Sequence, residues 1–321
     1  VKGSLRAVIF FSEVCWGGVV FDYYWPSEKS ALDGRAVVTC ATTFLKRIQK
    51  LGMKFGIQKA SVYIPRCYVE QSDLEARDGC IGKYTQGLGQ LQMGVWNTCV
   101  EDVQSIALTA AREVLQGTDV MDIGCVRVGT ETLIDKSKSM KTVIMNLLEG
   151  NDCVEGVTHV NACYGATDAL FSAIAWMQSD SWTGKLALVV AADTAEYEPG
   201  SAGRVTGGAG AVAMLVGPNA AFVLEPRRIT VSGDVHDFYK PELEVYPRVD
   251  GKLSQRTYLA ALERCVEAMR ESVHDCTHWC LHAPYGKLVR KGYAKIHECL
   301  GSGDEQKLFE KKVSPGLLLS K

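Results

Sequence analysis

A dense cluster of apolar residues occupies residues 156–177, GVTHVNACYGATDALFSAIAWM. Residues 157–160 form a short run that is typical of a buried strand, and residues 164–177 are apolar on nearly every side of a helix. The pattern therefore predicts a strand, a tight turn and a helix that is buried on all sides. Cys163 lies in the turn, directly before the predicted helix.

The position of Cys163 indicates a nucleophile. The first turn of a helix carries backbone N–H groups without intrahelical partners, and their partial positive charge favours a thiolate and a developing oxyanion. Gly165 would let a substrate approach the backbone closely. A structural cysteine in a tight turn is the alternative interpretation, because free cysteines are among the most buried residues.

Elsewhere the hydrophobic pattern alternates between strand and helix periodicity. It predicts strands over residues 56–64, 123–129, 185–192 and 211–216, and helices over residues 69–77, 102–116, 254–271 and 287–296. Residues 222–250 are rich in proline and charge and are predicted to form surface loops. The alternation predicts an α/β protein whose sheet is largely covered by helices.

The first fifty residues have a different character. Residues 36–50 are basic and poor in acids, as in an organelle transit peptide, and the alternative is upstream sequence without a fold of its own. We therefore expect an N-terminal extension of uncertain structure over residues 1–52. Residues 53–219 are then a first half with the nucleophilic cysteine, and residues 220–321 a partial second half.

The amino-acid composition is that of a globular protein and gives no sign of a nucleic acid-binding or membrane protein. Of the 321 residues, 47% are hydrophobic and 22% are charged, as in an ordinary globular protein. A net charge of −2 gives no electrostatic reason to expect a nucleic acid or membrane partner. The 12 cysteines are scattered without a C-x-x-C pair, which favours a reducing compartment. No apolar run is long enough to predict a transmembrane helix.

Two further residues join Cys163 as candidates for chemistry. Glu131 follows the predicted strand 123–129, and His282 ends an apolar run before Ala283 and Pro284, so both lie where sites collect in open α/β sheets. A thiolate, a carboxylate and an imidazole suit acyl transfer through a thioester. The basic face of the helix over 287–296 would suit a phosphorylated carrier such as coenzyme A.

A metal site is not expected in the run HDCTHWCLH. Its His and Cys residues recur at every second position, and such residues on a strand lie roughly 6.5–7 Å apart. That separation is too large for three of them to share one tetrahedral zinc ion.

Residues 55–291 resemble the eukaryotic 3-hydroxy-3-methylglutaryl-CoA synthases of the thiolase superfamily. The matching stretches are GKYTQGLGQ, VGTETLIDKSKS, NACYGATDALF, WTGKLALVVAADTAEY, TGGAGAVAMLVGPNA, DFYKPELEVYPRVDGKLS, YLAALERC and HAPYGKLVRK. The resemblance implies a layered αβαβα fold of two related halves, with the second half incomplete, and a homodimer.

The resemblance also implies a reaction. Acetyl-CoA, acetoacetyl-CoA and water would give 3-hydroxy-3-methylglutaryl-CoA and free CoA, as in the mevalonate pathway of isoprenoid and sterol synthesis, with CoA thioesters as substrates and no cofactor. Cys163 matches the residue that becomes acetylated, Glu131 the general acid/base, and His282 the residue that polarises the acetoacetyl carbonyl. Substrate or CoA contacts and active-site supports are implied at Asp193, Tyr197, Thr206, Ser254, Lys287 and Lys291.

Some positions depart from the family pattern. Ser201 stands where the family has an Asn that contacts CoA, and one residue is inserted before Thr206. The family's last strands, which carry an Asn and a Gly-Ser loop, have no match here. These departures leave a second hypothesis open: a truncated, catalytically impaired relative that acts as a binding subunit. We expect a cytoplasmic location, or a mitochondrial one if residues 1–50 act as a transit segment.

Overall fold

The computed structural model describes residues 6–10, 15–23, 53–273, 276 and 278–301. Its strands are β1 Arg6–Phe10, β2 Cys15–Tyr23, β3 Phe55–Tyr63, β4 Cys67–Glu70, β5 Gln92–Val95, β6 Ile123–Thr130, β7 Thr158–Val160, β8 Leu186–Ala195, β9 Gly208–Pro218, β10 Phe222–Ser232, β11 Phe238–Tyr239, β12 Arg248–Val249 and β13 His278–Leu281. Its α-helices are α1 Gln71–Asp78, α2 Val103–Leu115, α3 Lys141–Ile144, α4 Gly165–Gln178, α5 Gly251–Ala268, α6 Arg270–Val273 and α7 Gly286–Leu300.

Nine of the described strands form one mixed sheet in the order β13-β1-β2-β10-β3-β9-β8-β6-β7, and the other four described strands form two short antiparallel pairs. Strand β6 runs parallel to both β7 and β8. Because the carboxyl ends of parallel strands meet at one edge of a sheet, the segments that follow these three strands come together there. Those segments carry Glu131, Cys163 and Tyr197.

Helices cover this sheet in layers. Helix α2 packs onto β3, β8 and β9, and its Ile106 and Val114 join a core cluster that also includes residues of β6. Helix α4 packs onto the opposite face, where its apolar side chains join Val189 and Val216 in a second cluster. Helices α5 and α7 form a third cluster with β13, which includes the buried ring of Trp279. The predicted α/β class is confirmed.

Residues 222–250 were predicted to form surface loops, and that prediction is wrong where they form β10 and the short strands β11 and β12. The register of β10 against β2 shifts between Leu224 and Arg228. Pro226 lies inside this irregular stretch, where the missing N–H of a proline costs no ladder hydrogen bond. The bulge therefore lets a segment with proline and two arginines continue as a strand.

The N-terminal extension also differs from the expectation of a segment without a fold. Residues 6–10 and 15–23 are strands of the nine-stranded sheet. Residues 1–5, 11–14 and 24–52 of the extension, which include the basic stretch 36–50, lie outside the described residues. Among the described helices, none combines the length and the apolar character needed to cross a membrane.

Candidate active site

The turn that carries Cys163 has the predicted strand–turn–helix order, but the strand is not buried as predicted, because it lies at an edge of the described sheet with Val160 60% exposed. Strand β7 ends at Val160, helix α4 begins at Gly165, and the Gly165 N–H donates to the Asn161 carbonyl at 3.0 Å. Cys163 has φ of 56°, in the left-handed region that non-glycine residues rarely adopt. Such backbone strain is typical of functional positions that the surrounding structure holds in place.

A glycine on β6 allows the start of α4 to touch the sheet. A Cβ on Gly129 would stand 2.2 Å from the Ala166 nitrogen and 2.4 Å from the Gly165 carbonyl carbon. A Cβ on Gly165 would stand 2.7 Å from the His159 oxygen. Since real Cβ atoms do not approach so closely, both positions require glycine, and the helix start rests directly on the backbone of β6.

This close packing brings the thiol of Cys163 to the carboxylate of Glu131. The Cys163 Sγ donates to the Glu131 Oε2 at 3.9 Å, although the two residues are 32 apart in the chain. Glu131 follows directly after β6, and Cys163 comes two residues before α4. The arrangement places a carboxylate within reach of a group attached to the sulfur.

Asp193, near the end of β8, holds the loop that carries Glu131. Its Oδ1 accepts hydrogen bonds from the Glu131 N–H at 2.7 Å, the Thr130 hydroxyl at 2.8 Å and the Thr132 hydroxyl at 2.9 Å. The Thr132 hydroxyl also accepts from the Thr194 N–H at 3.1 Å. In this structure Asp193 therefore acts on the backbone that positions Glu131.

His282 follows β13 and faces the same space as Cys163. Its backbone carbonyl accepts a hydrogen bond from the Tyr258 hydroxyl of α5 at 3.3 Å. Burial raises the pKa of Tyr258, so this hydroxyl stays protonated and remains a donor. His282 and Cys163 both line one cavity of about 470 Å³.

That cavity, called here the thiol cavity, is lined by three of the six predicted contact residues. Its walls include Tyr197, Thr206 and Ser254, and also Ser201, which stands at the position that departs from the family. Sequence reasoning missed further lining residues, namely Leu88, Phe238, Arg248, Gln255 and Tyr285. Phe238 and Arg248 lie in the segment that was predicted to be loop, where hydrophobic periodicity carries no signal.

A second cavity of about 410 Å³, called here the carboxylate cavity, lies on the side of Glu131. Its walls include Thr132, Asn161 and Lys240. Tyr197 and Phe238 line both cavities, and their rings pack edge to face with centroids 6.3 Å apart. The aromatic pair therefore forms part of the wall between the two spaces.

The two predicted lysines lie on α7 with exposed side chains. Lys291 Nζ donates to the Gln255 Oε1 at 2.9 Å, and Gln255 lines the thiol cavity. Lys287 stands at the start of α7, and its backbone N–H donates to the Leu88 carbonyl at 2.8 Å. Lys291 is thus tied to the rim of the cavity, whereas Lys287 contacts the neighbouring loop through its backbone.

Glu75 of α1 holds this neighbouring loop, which contains Leu88. Its Oε1 accepts from the backbone N–H groups of Tyr84 and Thr85, each at 2.6 Å. Burial alone would raise the pKa of Glu75, but hydrogen bonds from the Thr85, Gly82 and Tyr84 backbone outweigh it and lower the pKa. A charged Glu75 therefore organises one wall of the thiol cavity.

Metal-ligating geometry is not found in the described part of the chain, where no three His, Cys, Asp or Glu side chains converge. His274 of the HDCTHWCLH run lies outside the described residues. The ten cysteines whose side chains are described are all free thiols.

Sequence comparison relates the chain to one family over both of its parts. The model of the hydroxymethylglutaryl-coenzyme A synthase N terminal region matches residues 52–221, and that of the C terminal region matches residues 223–317. The chain is 47% identical over 263 residues to the cytoplasmic hydroxymethylglutaryl-CoA synthase of Gallus gallus, covering 75% of this chain and 50% of that protein. It is 45% identical over 276 residues to the mitochondrial enzyme of Bos taurus, covering 78% and 54%. The chain thus spans about half the length of these relatives.

Structure comparison gives the same relationship. The fold superimposes on MvaS in complex with 3-hydroxy-3-methylglutaryl coenzyme A with a TM-score of 0.74, at 29% identity, over 83% of this chain and 72% of that one. It superimposes on an HMG-CoA synthase complexed with CoA with the same TM-score and identity, over 81% and 67%. The predicted thiolase-like fold is confirmed by these neighbours.

Proposed function

The chain belongs to the hydroxymethylglutaryl-coenzyme A synthase family, and from this we propose that it condenses acetyl-CoA with acetoacetyl-CoA and water to 3-hydroxy-3-methylglutaryl-CoA. The observation that carries the proposal is the pairing of the Cys163 thiol with the Glu131 carboxylate at 3.9 Å, beside a cavity that also contains His282. A nucleophile, an acid/base and a polarising group are the three parts that this reaction needs.

The first step is transfer of the acetyl group to the thiol. The Cys163 sulfur attacks the thioester carbonyl of acetyl-CoA, the bond from the carbonyl carbon to the CoA sulfur breaks, and CoA leaves as its thiol with the proton from Cys163. Backbone N–H groups at the start of α4 can stabilise the negative oxygen of the tetrahedral intermediate. The strained turn fixes the sulfur at the mouth of the helix for this attack.

The second step forms the carbon–carbon bond. Glu131 takes a proton from the methyl group of acetyl-Cys163, and the resulting enolate attacks the ketone carbon of acetoacetyl-CoA. His282 donates a hydrogen bond to the ketone oxygen, and Glu131 returns its proton to the new hydroxyl group. Water then cleaves the thioester to the sulfur, which releases the product carboxylate and restores Cys163.

The remaining residues support these three. Asp193 acts through the loop of Glu131, and Tyr197 separates the two sides of the site. Thr206 and Ser254 line the thiol cavity where the acyl and pantetheine parts of CoA would lie. Lys287 and Lys291 supply positive charge for the CoA phosphates, and we propose that their exposed ammonium groups bind them from α7.

We further propose that the chain acts as a homodimer. Strand β7 is the last strand of the nine-stranded sheet in its described part, and it pairs there only with β6. Val157 and Val160 beside this edge are 46% and 60% exposed. An exposed strand edge with unpaired backbone groups favours pairing with another chain. A molar mass of two chains in light scattering would support the dimer, and one chain mass at micromolar concentration would refute it.

The family's product leads to mevalonate and to isoprenoids such as sterols, and we propose that role here in the cytoplasm. Relatives of both cytoplasmic and mitochondrial description match this chain. Fractionation of cells that express the natural protein distinguishes the two locations, and co-purification with mitochondrial matrix proteins would contradict the cytoplasmic assignment.

The acetylation of the thiol provides the direct test. The protein is incubated with radiolabelled acetyl-CoA, quenched in acid and treated with hydroxylamine, which removes an acetyl group held as a thioester. We expect one label per chain, lost in Cys163→Ala and retained in Cys153→Ala, whose thiol is exposed elsewhere. Label that persists in Cys163→Ala would refute the nucleophile. Label without product from acetoacetyl-CoA would instead identify an impaired relative.

A further inference from the structure

The N-terminal extension supplies two interior strands of the main sheet. The family match begins at residue 52, yet β1 and β2 precede it and lie between β10 and β13. Strands β10 and β13 both belong to the part that matches the C-terminal family model, and they do not pair with each other. Residues before the family match therefore join two strands inside it.

Both strands of this hairpin pair with an outer neighbour, and the β2–β10 pairing contains the register shift between Leu224 and Arg228. Strand β1 runs parallel to β13, with Ala7 opposite His278 and Phe10 opposite Leu281. Strand β2 runs antiparallel to β10 over eight residue pairs, from Phe222 opposite Tyr23 to Ser232 opposite Cys15. The two strands also pair with each other in antiparallel register. The hairpin thus connects β13 to β10 through ladder hydrogen bonds.

Strand β13 depends on this bridge. In the described part of the chain, β1 is the one strand that pairs with β13. Trp279 and Leu281 of β13 are buried against α5 and α7. Buried backbone N–H and C=O groups without partners are strongly disfavoured, so a four-residue strand in this position needs a neighbour.

The residue that follows β13 is His282, which lines the thiol cavity. One support of His282 comes from α5, through the hydrogen bond of Tyr258 to its carbonyl. The register of β13 determines where the strand ends, and this determines the position of the His282 side chain. Because a slip by one residue turns every side chain of a strand to the other face, that register must be fixed.

We propose that the hairpin β1–β2 is a positioning element for His282: it fixes the register of β13 and so holds the imidazole in the thiol cavity. The segment is then part of the catalytic half of the protein, and its removal as a targeting peptide would uncouple His282 from Cys163. The catalytic consequence rests on the proposed function, whereas the strand pairing does not.

Cross-linking tests the pairing independently of activity. Ile9 stands opposite Cys280, and neighbouring strands are about 4.8 Å apart, within the range that a disulfide spans. Burial raises the pKa of the Cys280 thiol, so the disulfide between Cys280 and the new cysteine in Ile9→Cys is best formed at alkaline pH. Val8→Cys is the matched control, because position 8 belongs to the opposite face of the strand.

A second pair tests the other side of the hairpin. Ser232 stands opposite Cys15, so Ser232→Cys creates a cysteine pair between β10 and β2, with Val231→Cys as its control. Digestion and mass spectrometry should find disulfide-linked peptides 9–280 and 15–232, and at least tenfold less linkage in the controls. Equal linkage in test and control variants, or none in either test variant, overturns the inference.

Proline in β1 tests the consequence for His282. Ile9→Pro removes a ladder hydrogen bond in the full-length chain, and Ile9→Val keeps the strand. Acetylation of Cys163 should persist in Ile9→Pro, while the rate of condensation falls by about 100-fold, as for the loss of one polarising donor. An unchanged ratio of condensation to acetylation refutes the positioning role.

If Ile9→Pro does not fold, Ile9→Gly replaces it, and the ratio of condensation to acetylation should fall by about tenfold because glycine weakens a strand interior without blocking it.

Two outcomes separate this inference from the proposed function. If the Ile9→Cys and Ser232→Cys variants form their cross-links but the wild-type chain makes no product, the proposed function fails while the pairing of the hairpin stands. If the wild-type chain makes product but neither cysteine variant forms its cross-link, the hairpin inference fails while the proposed function stands.

Discussion

Gly129 on β6 and Gly165 at the start of α4 are in backbone contact, and this contact fixes the distance between Glu131 and Cys163. A Cβ on Gly129 would come within 2.4 Å of the Gly165 carbonyl carbon. Glu131 lies two residues after one glycine, and Cys163 lies two residues before the other. The separation of the acid/base from the thiol is therefore set by two positions that have no side chain.

The first prediction concerns this contact. Gly129→Ala should push α4 away from the sheet, lower the melting temperature and reduce acetylation and condensation together, by at least about 100-fold, since misplacement by about 1 Å costs that much in rate. The matched control is Gly210→Ala on β9, where a Cβ would have only an ordinary contact, 3.5 Å from the Tyr63 oxygen. Wild-type rates in Gly129→Ala would contradict this account of the site.

The second prediction separates the two chemical steps. Glu131→Gln removes the acid/base but leaves the thiol, so acetyl-Cys163 should form while condensation falls by about 10²–10⁴-fold. Glu113→Gln, an exposed acid on α2, should have no effect. The measurement is the rate of labelled acetyl transfer beside the steady-state rate of product formation. Equal losses in both rates would assign Glu131 to the first step instead.

The third prediction concerns the wall between the two cavities. Phe238→Ala should join the thiol cavity to the carboxylate cavity and admit water, whereas Phe238→Leu keeps most of the side-chain volume. We expect acetyl-Cys163 to hydrolyse several-fold faster in Phe238→Ala, measured as acetate released without acetoacetyl-CoA. Unchanged hydrolysis in Phe238→Ala would mean that the aromatic pair does not exclude water.

The fourth prediction is the pH dependence of Glu75. Its folded-state pKa lies below the ordinary value of 4.5, so the folded chain binds a proton there less readily than the unfolded chain does. The carboxylate then stabilises the fold above the ordinary pKa, and this contribution is lost as the pH falls towards the folded pKa. Glu75→Gln should lower the melting temperature at neutral pH.

The gap between Glu75→Gln and the wild type should narrow as the pH falls from about 4.5 towards the lower folded-state pKa, because Glu75 is protonated first in the unfolded chain and then in the folded chain. Glu149→Gln, an exposed acid, is the control for the loss of one charge. Melting curves across the acid range provide the measurement. A gap that stays constant with pH would show that the hydrogen bonds to Glu75 do not depend on its charge.

The local hydrophobic pattern was sufficient to predict the helices and strands that carry the candidate residues. The apolar run, turn and helix around Cys163, the strand before Glu131 and the basic helix after His282 were all predicted in place. Each is encoded by spacing within about fifteen residues, because periodicity reports which face of one element is buried. The motifs around these residues also led to the family that the comparisons show.

Other features exist only because distant parts of the chain meet. The local pattern of residues 222–232 predicted a loop, yet pairing with β2 and β3 makes them a strand with a bulge at Pro226. Phe238 and Arg248 line the thiol cavity although no local pattern distinguishes them. Pairing of this kind depends on partners far away in sequence, which a propensity or a period does not contain.

The sequence by itself determined the residue types, the buried helix behind Cys163 and the alternation of strands and helices. The tertiary structure alone decided that the Glu131 Oε2 lies 3.9 Å from the Cys163 Sγ. It also decided that β1 and β2 lie between β10 and β13. The physical reason is the range of the interactions: side-chain periodicity acts along one element, whereas backbone contact at two glycines and strand pairing join elements far apart in the chain.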